Sequence, residues 1–301
     1  TLFPYTTLFR SGPKERGRAL ALYMVGLYGA QVLSQQILTY FDYSSFTPFA
    51  ITAFLSSLSA IPVSLKKIDC PDVSSASFLS IKKIIGASVL GFVTCFFAGI
   101  ALSLVYTLMP YYLLQINFTV AQTGMLMGFV YFGALSLQWP IGWLSDFFDR
   151  KKILIFIIFA CLLNSAIAGL AVGHLSFYHF LPVAYLFGGL IFSLFPLGMT
   201  QICDYLDHSE IVGAMSILLL VYSIGSLIGP ITAPIIMEIF PQSGFFIYLT
   251  VVLAALCVYS VHRMFQKESL PLSEQKEHII LPRTSIHVGE LSEAVPEEDR
   301  S

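Results

Sequence analysis

Gly142-Trp143-Leu144-Ser145-Asp146-Phe147-Phe148-Asp149-Arg150-Lys151-Lys152 joins two long apolar runs, and its last three residues are the only basic ones between Lys83 and Arg263. Outward from this loop, hydropathy gives eight apolar stretches at about 19–40, 48–65, 85–109, 123–143, 153–173, 181–202, 213–237 and 244–262. Each is roughly 18–25 residues, enough for a helix to cross about 30 Å of hydrocarbon. If Arg10 to Arg18 lie in the cytoplasm, alternation puts Lys66 to Lys83, Arg150 to Lys152 and everything from Arg263 onward there too. The opposite connections, near Asp42, Asn117, His174 and Glu238, contain no Lys or Arg. That asymmetry is the positive-inside bias. The pattern predicts an all-α polytopic membrane protein with eight transmembrane helices and both ends cytoplasmic.

Composition points the same way. Hydrophobic residues make up 56% of the 301 and charged residues 11%, against about 25% charged in a soluble domain. No stretch carries Lys, Arg, Asp or Glu near its middle. The bilayer is the expected surrounding, and nothing suggests a nucleic-acid partner, a metal or a cofactor. Cys70, Cys95, Cys161, Cys203 and Cys257 have no zinc-site spacing and read as packing residues.

Residues 1–11 (TLFPYTTLFRS) resemble the translation of a sequencing-library adapter, and they lack the basic region and apolar core of a signal peptide. They are expected to be an artefact, with the protein proper starting mid-gene near Gly12. Residues 66–84, with paired lysines, Pro71 and a serine cluster, read as a cytoplasmic linker. Residues 264–301 are polar and read as a disordered cytoplasmic tail. A weak repeat relates Tyr28-Gly29-Ala30-Gln31-Val32-Leu33-Ser34-Gln35 to Tyr222-Ser223-Ile224-Gly225-Ser226-Leu227-Ile228-Gly229-Pro230, about 195 residues apart. Both pair a Tyr with small residues four apart, a spacing that lets membrane helices approach closely.

The central loop resembles the G-x-x-x-D-x-x-G-R-[RK]-[RK] loop of the major facilitator superfamily, through Gly142, Asp146, Arg150, Lys151 and Lys152. Asp149 stands where that pattern has Gly. Gln138-Trp139-Pro140-Ile141-Gly142, Arg16-Gly17-Arg18 with Tyr23-Met24, and Tyr222 to Pro230 are similar to the bacterial YcaD-like branch. The resemblance implies an N-terminally truncated copy of a twelve-helix fold, lacking about four helices, in a bacterial inner membrane. The eight stretches would then be helices five to twelve. Residues 12–65 would be the last two helices of the N-terminal half, 66–84 the linker between halves, and 85–263 the six-helix C-terminal half.

The same resemblance implies a secondary transporter, monomeric when full length, that moves a small solute by alternating access and has no enzymatic activity. Its third and sixth spans would line the cavity, with the first, fourth and seventh beside it. Candidate solute contacts are Tyr28, Gln31, Tyr106, Thr107, Tyr185, Ser193 and Tyr222; for a single intramembrane Ser, Thr or Tyr, a bond to a neighbouring helix is the commoner fate. Pro196 is expected to break or kink the sixth span. Gly225 and Gly229 are expected to pack closely on a neighbour, with Pro230 ending or kinking the seventh. Asp146 is expected to pair with Arg18 or the start of the first span as a latch between halves. For Arg150, Lys151 and Lys152 a plain topology anchor is as good a reading. Asp204, Asp207, His208 and Glu210 read as a solvated cluster, with Ser209 and Glu210 capping the next helix. No buried ionisable group marks a proton path, so antiport, symport and facilitated diffusion stay open. The alternatives, an intramembrane enzyme or the inactive product of a decayed gene, differ in class. The first lacks any catalytic set, since His174 and His179 have no partner acid.

Overall fold

A computed structural model describes residues 25–36, 41, 45–64, 80–172, 177–206 and 210–264. Among these, every regular element is a helix. Residues 25–36 form α1, Thr47–Ser64 α2, Ile81–Ala87 α3, Val89–Thr107 α4 and Met109–Gln115 α5. Val120–Phe147 form α6, Arg150–Ala171 α7, Phe177–Cys203 α8, Ile211–Ile239 α9 and Gly244–Met264 α10. Six of them, α4 and α6 to α10, are long and apolar enough to cross a membrane, and they fall on the last six of the eight predicted stretches. The second stretch coincides with α2, whose apolar part, Thr47–Ile61, is shorter than a span. Of the first stretch, only the part in α1 lies among the described residues. Residues 1–11, Arg18, most of the linker and the tail lie outside them.

The six long helices pack mainly as α6 on α8, α4 on α9, α10 on α7, and α8 against both α4 and α7. Glycine sets the closest approaches. A Cβ at Gly133 would fall 1.9 Å from the Tyr185 carbonyl oxygen of α8, and one at Gly188 would fall 1.9 Å from that of Val130 on α6. At Gly225 the obstacle is the Phe96 carbonyl oxygen at 2.2 Å, and at Gly229 it is Ser103 Oγ at 2.8 Å. Small residues here let backbones touch, and dispersion is then gained along the whole contact. Cys95, Cys161, Cys203 and Cys257 are buried among the bundle's apolar side chains. Outside it, α1 lies along α6: a Cβ at Gly124 would meet the Gln35 carbonyl at 2.7 Å, and one at Gly128 would meet Gln36 Nε2 at 2.6 Å.

The junctions use short polar residues. Ser88 splits the third predicted stretch: its N–H closes α3 on the Ile84 carbonyl (3.1 Å) while its Oγ caps α4 at the Gly91 N–H (3.2 Å). The chain is already helical at Ile81, inside the stretch read as linker. After α5, Asn117 takes φ 70°, its N–H reaching the Leu114 carbonyl (3.1 Å) and that of Phe118 the Leu113 carbonyl (3.0 Å). These paired bonds form the left-handed helix end that Gly or Asn supports. Thr119 and Gln122 then close a capping box at the start of α6. Pro196 and Pro230 do not end their helices, since α8 runs unbroken through Pro182 and Pro196, and α9 through Pro230 and Pro234. Each helix continues on both sides of its prolines despite the one backbone bond that each proline removes.

Candidate functional site

At the end of α6, the Phe148–Asp149 turn reverses the chain into α7, with no glycine required. Asp149 is the N-cap of α7, its carboxylate accepting from the Lys151 N–H at 3.0 Å. A carboxylate at that position also meets the positive end of the helix dipole. Arg150, the first residue of α7, is turned inward and its side chain is 1% exposed. Its Nη2 donates to Asp146 Oδ1 at 2.7 Å, and its Nη1 to Asp204 Oδ1 at the end of α8. One planar guanidinium thus ties three helix ends together with charge-assisted bonds, a task its fixed fork suits.

This geometry corrects three expectations. Arg150 is not a headgroup anchor, because it is sealed inside the bundle. Asp204 is not solvated: its side chain is 2% exposed and paired. Glu210 is the N-cap of α9 but makes no capping bond with its side chain, which pairs with Lys83 instead. Asp207, His208 and Ser209 lie outside the described residues, as does Arg18. Lys151 does what a basic residue can do at such an end, its Nζ reaching the Met264 carbonyl at 3.4 Å at the close of α10. Lys152 is exposed and lies 3.9 Å from Asp149.

A second feature lies deeper. Phe192 of α8 receives three rings edge-on: Tyr28 of α1 (5.7 Å between centroids), Tyr106 of α4 (5.5 Å) and Tyr131 of α6 (5.9 Å). Tyr106 and Tyr131 also stack at 6.2 Å. At 1.5 Å rise per residue, Tyr131 sits about 16 Å and Phe192 about 22 Å along helices some 40 Å long, near mid-depth. Phe192 and Tyr131 are buried, whereas Tyr106 is 39% exposed at the edge of the cluster. Gln31, one helical turn from Tyr28, keeps its Oε1 buried without a partner among the described residues. Four helices therefore converge on an aromatic patch, and one turn along α1 lies an amide oxygen with no partner among the described residues.

The other candidates disperse. Tyr185 bonds Ser136 Oγ (2.8 Å) across α6 and α8, and Tyr222 packs edge-on against Phe195 (5.0 Å). Ser193 and Thr107 spend their hydroxyls on carbonyls of their own helices, Gly189 (2.6 Å) and Ser103 (2.7 Å). Tyr131 and Phe192 are the residues that reading the sequence missed. The available signal was the stripe Gly124, Gly128, Tyr131 on one face of α6.

An all-helical bundle with six membrane-length apolar helices defines a multi-pass membrane protein. The sequence pattern of the Major Facilitator Superfamily matches residues 91–289, and the chain belongs to that superfamily of membrane transporters. It is similar to the "Uncharacterized MFS-type transporter YcaD" of Escherichia coli K12 (strain DH10B) and of E. coli O157:H7 (strain EC4115). Identity to each is 30% over 243 residues, covering 78% of this chain and 61% of the relative. The chain therefore spans about three fifths of the length of these relatives.

Proposed function

We propose that the chain contributes the second half and part of the first half of a secondary transporter, which moves a small solute across a bacterial inner membrane by alternating access. The observation that carries this reading is the convergence of Tyr28, Tyr106, Tyr131 and Phe192 where α1 meets the six-helix bundle. In alternating-access proteins the solute binds near mid-depth between two bodies that rock against each other. An aromatic patch at that depth, with one partly exposed ring and an amide oxygen that has no partner among the described residues, suits such a contact. Tyr185 and Tyr222 are assigned to contacts between helices, and Ser193 and Thr107 to bonds within their own.

The ion cluster of Asp146, Arg150 and Asp204 supports a second part of the proposal. It keeps the ends of α6, α7 and α8 as one rigid body, so that movement occurs against α1 and whatever packs beside it. Asp146, one third exposed in its side chain, is the member proposed to pair with Arg18 when that end closes. Both ends of the chain are assigned to the cytoplasm on the charge asymmetry.

The test is a solute screen on vesicles carrying the full-length protein. A solute whose uptake is lost in Tyr131→Ala and Phe192→Ala, but kept in Tyr185→Phe, supports the assignment. Uptake lost in Tyr185→Phe and kept in the other two would overturn it.

A further inference from the structure

At the basic end of the bundle, a cleft lies between the ends of four helices. Ser88, Val89 and Leu90 at the start of α4, Lys151, Gln201 and Arg263 line it. Three observations point to one ligand chemistry. First, α4 opens on the cleft with its positive dipole end. Ser88 Oγ satisfies the third helical N–H, that of Gly91, which leaves those of Val89 and Leu90 without an intrahelical acceptor. Second, a guanidinium and an ammonium, from α10 and α7, stand on the same wall. Third, Gln201 of α8 is 5% exposed, faces the cleft, and keeps its Oε1 buried with no hydrogen-bond partner among the described residues. An amide left so is costly unless something fills its bonds.

Backbone N–H groups and two cations call for an anion with several acceptor oxygens. The amide oxygen adds a need for a donor on that ligand. A phosphate that also carries a hydroxyl meets both demands: its charged oxygens face the helix start and the cations, while the hydroxyl donates to Gln201 Oε1. We propose that this cleft binds a hydroxyl-bearing phosphate group. It is supplied either by the headgroup of an anionic lipid such as phosphatidylglycerol or by soluble phosphate. Basic pockets between the ends of membrane helices are a known setting for anionic headgroups. The site is separate from the aromatic patch and does not depend on the transport reading.

The test uses the full chain, purified in mild detergent. Native mass spectrometry compares retention of phosphatidylglycerol with that of phosphatidylethanolamine. A parallel arm follows the thermal midpoint of delipidated protein in inorganic phosphate against chloride at equal ionic strength. The Lys151→Gln/Arg263→Gln variant removes two cations from the cleft; Lys82→Gln/Lys152→Gln removes two elsewhere on that end. The lipid source predicts preferential retention of phosphatidylglycerol, falling about thirtyfold in the first variant and little in the second, as two lost cationic contacts imply. The soluble source predicts a phosphate-specific rise in midpoint that only the first variant abolishes. Wild-type protein with neither a phosphatidylglycerol preference nor a phosphate response overturns the site. So does equal loss in both variants, which would reduce it to general surface charge. The wild-type comparison decides even if a variant fails to fold.

Discussion

Arg150 is the residue on which the basic end of the bundle turns. A buried guanidinium keeps its charge and needs acceptors beside it, which Asp146 and Asp204 supply. Breaking a buried charge pair costs about 3–5 kcal/mol, and because Asp146 still meets the guanidinium the loss of Asp204 falls toward the low end of that range. Asp204→Asn should therefore destabilise the protein by that order in a reversible unfolding assay, and Asp146→Asn, whose carboxylate is one third exposed, by much less. Equal effects would mean that Asp204 is not sealed as described. Arg150→Lys should rescue little, because a single ammonium cannot span both acids. None of this was legible in the loop. A basic trio after an apolar run reads as an anchor, and the partner acid lies 54 residues away, among polar neighbours that make it look solvated. Gly142, Asp146 and Arg150 were recognisable as a pattern, but the pattern does not say which basic residue turns inward.

Helices follow more directly from local rules. The long apolar runs at 153–173 and 244–262 stand within a few residues of α7 and α10, because a bilayer-length run with a charged loop at its end has few other solutions. The break at Ser88 was hidden: a single serine inside an apolar run gives hydropathy nothing to register. Close packing makes a sharper prediction. Gly225→Ala puts a methyl 2.2 Å from the Phe96 carbonyl, so α9 must move off α4, at a cost of about 1–3 kcal/mol. Gly86→Ala meets nothing within 4 Å and should stabilise by roughly 0.5–1 kcal/mol through helix propensity. Comparable midpoints for the two variants would argue against the tight α4–α9 contact. At the other end, Asn117→Gly should be tolerated, whereas Asn117→Val, forced to positive φ, should lose about 1–2 kcal/mol.

For the whole molecule, charge asymmetry foresaw that the basic loops share one end, and among the described residues the structure gathers Lys83, Arg150, Lys151 and Arg263 there through Glu210, Asp204, the Met264 carbonyl and the cleft at the start of α4. The aromatic patch was half legible. Tyr28 and Tyr106 stood out as polar groups in apolar helices, while Phe192 looked like any core phenylalanine until four helices were brought around it. Whether that patch lines a water-filled path or only packs is the central question. Thiol labelling of Tyr106→Cys, in a chain with Cys70, Cys95, Cys161, Cys203 and Cys257 replaced by Ala, answers it most directly. Leu163→Cys, on the exposed flank of α7, reports a lipid-facing site, and Lys82→Cys an aqueous one. A charged, membrane-impermeant reagent should modify Tyr106→Cys about as readily as Lys82→Cys and leave Leu163→Cys untouched. Modification of Tyr106→Cys by a lipid-soluble reagent alone would place that ring against the bilayer and contradict the transport path drawn through it.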